Sequence, residues 1–334
     1  MTKNRKYSGE FIDFDELRIE LSKALITLKV GKEFQEKNKN RQELSAQYIE
    51  SARAETASLE QKIQQLEAIL ATEPPPPELP PRKPLFKASG VLGEFSVQKV
   101  MGYFTDREYD PEEFARQEAS DQVGSLLLAI AGNVAGSAVT GQSNIRKNDA
   151  CDFVRGKING IPFHGWLGQT HVREGDYVEM AVAEQNDHYV VYAIMLPILR
   201  TISITPRCNS GREAEINFGK GCGFPAISSV FLAFLVVLHF MGADWRAIAF
   251  GAAIFAGMLL LAFWRTTNSI RKKPGPVILL TENIFTTLGF AEPRCIDLQK
   301  ITKKRLKQQT EDTPAVTDRE MPFDTSYRHY FYYY

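Results

Sequence analysis

The stretch GIPFHGWLGQTHVREGDYVEM, residues 160–180, decides how the middle of the chain is read. It begins inside Asn159-Gly160, the strongest short hairpin signal, because both residues tolerate the positive φ of a type I′ turn. DFVRGKI before this turn and IPFHGWL after it both suit strands. In the second strand Phe163, Gly165 and Leu167 share one face, and Pro162, His164 and Trp166 share the other. The Gly175-Asp176 turn starts DYVEMAVAE, and HYVVYAIML and RTISITP follow. With an early strand over 93–104 this makes roughly six short strands, and antiparallel strands in that number close on themselves to remove exposed edges. A small antiparallel OB-like β-barrel over 85–206 is therefore expected.

A helix inserted over 111–140 interrupts that barrel. Asp110 can cap it, Pro111 suits the first helical position, and Glu112 and Glu113 suit the positive end of the dipole. It runs into GSLLLAIAGNVAGSAVTG, residues 124–141, whose strongly apolar part is short for a span. Ala129, Gly132 and Gly136 would permit close packing, so a buried or membrane-surface helix is favoured over a third span.

The chemistry-bearing residues of this region do not form a familiar site. His164 and His171 stand seven apart, a spacing that gives no shared face on a strand or a helix, so no metal is expected from that pair. Cys151 with either histidine lacks a third group to orient a base. Phosphate loops, HExxH, GxSxG and paired acidic motifs are missing from the sequence. Neither an enzyme nor a cofactor is expected. Trp166, Tyr177, Tyr189 and Tyr192 lie among Arg155, Lys157, Arg173 and Arg200, as in single-strand nucleic-acid binders. Asp152, Glu174, Asp176, Glu179, Glu184 and Asp187 oppose phosphate there. The whole chain, with 40 basic and 40 acidic residues among 334, gives no electrostatic pull towards nucleic acid.

Working outward to the N-terminus, Leu17, Leu21, Ala24, Leu25 and Leu28 recur at helical spacing. In a second helix Ile49, Ala52, Thr56, Leu59, Ile63, Leu66 and Leu70 form an a/d seam. Residues 1–72 are thus read as a helical hairpin or a coiled coil, leaving a protein partner or a second copy of the chain open. The run EPPPPELPPRKP, residues 73–84, stops the helix because proline lacks the amide donor, and it reads as a semi-rigid linker. The four cysteines are widely spaced and no apolar leader opens the sequence, which favours a reducing compartment.

Working outward to the C-terminus, residues 224–241 and 247–264 are two runs of 18 without Asp, Glu, Lys or Arg, joined by GADWR. Each approaches the ~20 residues that a bilayer demands, so a two-helix transmembrane hairpin is expected over 224–264. Arg207, Arg212 and Lys220 precede it, and Arg265, Arg271, Lys272 and Lys273 follow. The positive-inside rule then puts both termini in the cytoplasm. Trp245 and Trp264 sit where interfacial tryptophans belong, and Ala249, Ala253 and Gly257 form a small-residue ridge suited to Ser229 and Ala233. His239, near the outer end of the first run, is read as solvated. Residues 265–334 form a cytoplasmic tail ending in the aromatic segment MPFDTSYRHYFYYY, expected to dock on this protein or on a partner. The fold class is therefore an α+β membrane protein, with the lipid bilayer as its first partner.

Residues 90–273 also resemble bacterial membrane proteins assigned to type VI secretion as effectors. The resemblance is carried by Asn159-Gly160, Gly165-Trp166, Glu174-Gly175-Asp176 with Val178, Asp187-His188-Tyr189 with Tyr192, and Arg200-Thr201-Ile202. A small-residue helix before this block and two apolar runs after it complete the pattern. The resemblance implies a non-enzymatic protein of the inner membrane, with the barrel as docking module and the hairpin as anchor or membrane-perturbing element. Beside it stand a resident adaptor or immunity-type protein and, less favoured, a tethered nucleic-acid binder.

Overall fold

The computed structural model describes residues 11–38, 46–116, 119, 148–223, 227–229, 231–233, 235, 236, 244–309, 319–323 and 329–334. The expected helix over 124–141, and with it most of the insert 111–140, lies outside the described residues, as does His239. So does much of the expected first span, of which residues 227–229, 231–233, 235 and 236 are helical. The protein is mixed α and β and divides into two compact units, residues 1–76 with 99–102, and residues 77–98 with 103–334. The division falls inside the proline run, and the second unit continues well past Pro206.

In the first unit α1 (Phe14–Asn38) and α2 (Ala46–Leu70) lie antiparallel. Ala24, Ile63 and Leu66 are buried between them. Lys62 Nζ meets Glu20 at 2.6 Å, and Lys32 Nζ meets Glu60 at 2.7 Å. Gln35 donates to Thr56 Oγ1 at 2.8 Å, and Arg18 pairs with Glu73. These contacts make the heptad seam an intramolecular hairpin. Ile19, Ile26 and Val30 of α1 stay exposed.

The second unit is organised by five strands, β1 (Phe86–Tyr103), β2 (Asn148–Ile158), β3 (Ile161–Leu167), β4 (Tyr177–Glu184) and β5 (Tyr189–Leu196). Asn159 and Gly160, at φ 52° and 82°, make the tight turn of the β2–β3 hairpin. β1 pairs antiparallel with β4, and β4 with β5. β3 runs parallel beside β5 through Phe163–Tyr189 and His164–Val190, which closes a five-strand barrel of OB-like type. Closure depends on Gly165, where a Cβ would fall 2.3 Å from the Val191 carbonyl oxygen. Leu92, Val154, Ile158, Phe163, Leu167, Val178, Met180 and Ile194 fill the interior. Each contributes roughly 1.5–3 kcal/mol by leaving water.

The sheet does not stop at the barrel. β6 (Thr201–Ile204) pairs with β5, and β7 (Phe331–Tyr333) pairs with β6. The aromatic C-terminus therefore docks on this protein itself, burying Tyr330, Phe331, Tyr332 and Tyr333. After the one-turn α3 (Asp106–Tyr109), the helices described beyond β6 include α4 (Arg212–Phe218), α5 (Trp245–Lys272) and α6 (Pro276–Leu288). A last helix, α7 (Leu298–Gln309), receives the tail, with Tyr333 N–H donating to Thr302 Oγ1 at 2.9 Å and Arg305 over the Tyr333 ring at 4.4 Å. Leu280, Ile284, Phe285 and Leu288 of α6, Leu298 of α7, Tyr330 and Tyr332 form a second core with Ala181, Ala183, Val190 and Ala193. A wall of the barrel is thus buried on both faces.

The tightness of the β3–β5 seam predicts a large cost for a single methyl group. Gly165→Ala should destabilise the full chain in detergent micelles by about 1–3 kcal/mol, read from thermal melting. Gly93→Ala, whose Cβ would approach the Lys157 carbonyl oxygen only to 3.9 Å, should change it by under about 0.5 kcal/mol. Equal melting of the two variants would contradict the parallel closure.

Candidate functional site

The proline run does more than connect. Past Pro76 it lies along the barrel unit, where Leu79 and Leu85 pack on the outer core. The Tyr192 hydroxyl donates to the Glu78 carbonyl at 2.8 Å, which fixes the backbone at Glu78. The Glu78 carboxylate then faces two histidines. His164 stands on β3 and His188 just before β5, and the parallel pairing of these strands stacks their rings at 4.8 Å between centroids, 28° apart in plane. One ligand atom from each of Glu78, His164 and His188 lies within 4.8 Å of the others.

The electrostatics of this cluster follow from its contacts. His188 Nδ1 lies 2.8 Å from Asp187 Oδ1. A carboxylate only accepts, so Nδ1 carries the proton and Nε2 holds the free lone pair of the neutral ring. That Nε2 is buried without a hydrogen-bond partner. Burial, and then the neighbouring His188, lower the His164 pKa, which favours its neutral form. Gln185 Nε2 donates to Glu78 Oε2, and Arg82 Nε approaches the same oxygen at 3.8 Å.

The residues that carried the sequence reading serve the barrel. The Asn159 side chain donates to the Ser89 carbonyl at 3.0 Å, tying the β2–β3 turn to β1. Trp166 packs edge-on against Phe104 and Phe153, and Tyr189 edge-on against Phe86. Gly175 N–H donates to the Leu92 carbonyl at 2.8 Å, locking the turn to β1. Asp176 accepts from Arg319 at 2.5 and 2.8 Å and from Arg173 N–H at 2.7 Å. Burial alone would raise its carboxyl; Arg319 and the Arg173 N–H outweigh that and hold it below the usual range. His171 is held apart from His164, against the Phe331 ring at 4.6 Å. The Cys151 thiol is buried and donates to the Asp149 carbonyl at 3.2 Å, an arrangement suited to packing.

The other notable feature is α5. It contains the one helix segment among the described residues that is long and apolar enough to cross a membrane, Ala249–Lys272, and none of its most apolar window is buried. Asp244 caps the helix, accepting from Arg246 N–H. Trp245 and Trp264 are 67% and 63% exposed, and Ala249, Ala253 and Gly257 are exposed as well. A ring stack joins Phe255 of α5 to Phe231 of the first apolar run, with centroids 3.6 Å apart.

The far end of α5 is clamped to the rest of its unit. Arg271 makes a two-pronged pair with Glu213 of α4, both distances 2.9 Å. Arg212 pairs with Glu282 of α6 at 2.8 and 2.5 Å and donates to the Arg271 carbonyl at 3.2 Å. The Arg212 and Glu282 side chains keep only 16% and 10% exposure. Burial would raise the Glu282 carboxyl, but the guanidinium prevails and lowers it.

For a metal, sequence reasoning weighed His164 only against His171, found no shared face for that pair, and considered neither His188 nor Glu78. The signal lay in chain closure: a parallel β3–β5 seam brings 164 beside 188, and no local spacing reveals that. For stability against pH, His171 is the informative group. Burial, then the Arg319 charge, lower its pKa to about 4. Between the ordinary value of about 6.5 and 4 the unfolded chain takes up a proton that the folded one refuses. Stability from this group is full above about pH 6.5 and lost as pH falls towards 4. The melting temperature should drop over that interval, and His171→Gln should reduce the drop; an unchanged slope in the variant would place the effect elsewhere.

Compared with known proteins, the chain matches no family model, no curated protein and no solved structure.

Proposed function

We propose that the protein is a non-enzymatic, membrane-tethered docking module, with α5 as anchor and the barrel unit as the part presented to partners. The observation that carries this reading is the exposure of Ala249–Lys272. An apolar helix without a buried window is costly in water and suited to lipid. Trp245 and Trp264 are 19 residues apart, roughly 28 Å of helix rise, close to the ~30 Å hydrocarbon thickness. Arg265, Arg271 and Lys272 gather at one end, which supports a cytoplasmic barrel in a bacterial inner membrane. The second apolar run, 224–241, would complete a two-span hairpin, and the Phe231–Phe255 stack supports its packing on α5.

A resident adaptor fits the clamp best. Arg212–Glu282 and Arg271–Glu213 hold the cytoplasmic end of α5 against α4 and α6, the first pair largely buried and the second more exposed. A helix fixed in this way suits a permanent anchor more than an element that leaves the protein to perturb a target membrane. The exposed Ile19, Ile26 and Val30 of α1 offer the adaptor an apolar stripe for a partner. Service as a type VI secretion effector is the second reading, supported by the sequence pattern over 90–273. The balanced charge argues against nucleic acid for either role.

Membrane fractionation tests the tether. The full chain should stay in the pellet after alkaline carbonate extraction, and deletion of 244–264 should move it to the supernatant. Release of the intact chain by carbonate would overturn the proposal.

A further inference from the structure

We propose that Glu78, His164 and His188 bind a divalent transition-metal ion, zinc above all, which clips the proline strap to the barrel. Two imidazoles and one carboxylate are a donor set that zinc accepts, with bonds of about 2.0–2.2 Å. Four-coordinate zinc spaces its ligand atoms roughly 3.4 Å apart. The three ligand atoms already lie within 4.8 Å of one another, so an inward shift on the order of 1 Å completes the set. A water or a further donor would take the fourth position.

Three features fit a built site better than a chance cluster. First, His188 Nε2 is buried without a partner, a costly state for a polar atom unless something meets it. Second, Asp187 accepts from Nδ1 of the same ring at 2.8 Å. A carboxylate on the far nitrogen is the usual support of a metal-bound histidine, since it sets the tautomer and raises the basicity of Nε2. Third, the ligands arrive already positioned. The β3–β5 pairing places both imidazoles, and the Tyr192 hydroxyl holds the Glu78 backbone. Both the Gln185 and the Arg82 contacts fall on Glu78 Oε2, which leaves Oε1 for an ion.

Without an ion, two imidazoles stack beside a carboxylate carried by a strap; with one, the strap is cross-linked to the seam that closes the barrel. Binding free energy at such a site adds to the stability of the state that holds it. The clip is independent of the membrane reading, since a chain released by carbonate could still bind zinc.

The test uses the full chain in detergent micelles, stripped with a chelator and titrated with zinc chloride. Bound metal is counted by elemental analysis and the melting temperature is followed. One zinc per chain and a rise in melting temperature are expected. Glu78→Gln and His164→Ala should each weaken zinc binding by more than tenfold and remove the rise, and Asp187→Asn should weaken it by about 10–100-fold. His171→Gln should leave binding unchanged. Should His164→Ala fail to fold, Asp187→Asn decides, because its side chain is 88% exposed. Absence of binding at equimolar zinc, or equal binding by wild type, Glu78→Gln and Asp187→Asn, would show an adventitious ion only and overturn the proposal.

Discussion

The second unit depends on β5 being buried on both faces. Inward, Val191, Ile194 and Leu196 join the barrel core; outward, Val190, Tyr192, Ala193 and Met195 join the core under α6 and the C-terminal aromatics. A strand in that position cannot alternate apolar and polar residues, and YVVYAIML does not. It pairs with three strands, β4 and β6 antiparallel on its sides and β3 parallel at the seam. The seam in turn requires Gly165, and the outer face requires the tail. Barrel closure, tail docking and the histidine pair thus follow from one doubly covered strand.

The outer core links the barrel to its apolar helix. α6 packs on the barrel wall through Leu280, Ile284 and Phe285, while its Glu282 turns to Arg212. Arg212 reaches the last turn of α5, and Glu213 beside it takes Arg271. Guanidinium forks suit this role because two parallel bonds fix orientation as well as distance. The direction in which α5 leaves the unit is therefore set by paired charges rooted in a packed core.

Much of the barrel was legible in the sequence, because turn chemistry is local. Asn159-Gly160 and Gly175-Asp176 marked their turns, and the alternation in IPFHGWL assigned Phe163 and Leu167 to the interior. Two runs of prolines and heptads marked the strap and the helical pair. What stayed hidden was everything that depends on closure. The parallel β3–β5 contact cannot be read from spacing, so His164 was weighed against His171 and never against His188. Glu78 looked like part of a spacer because nothing in EPPPPELPPRKP says which surface it crosses. In sequence the last strand, FYY, shows only an aromatic tail, because its partner β6 lies more than a hundred residues away.

Tryptophan fluorescence offers the most direct test of the anchor. The chain has three tryptophans, and Trp166 belongs to the barrel, packed on Phe104 and Phe153. In a Trp166→Phe variant reconstituted into vesicles of brominated phospholipid, all emission comes from Trp245 and Trp264. Strong quenching by bromines near the headgroup end of the acyl chains, and weaker quenching by bromines near the bilayer centre, is the result expected for two interfacial rings. Emission that brominated lipid leaves unchanged would contradict a helix that spans the membrane.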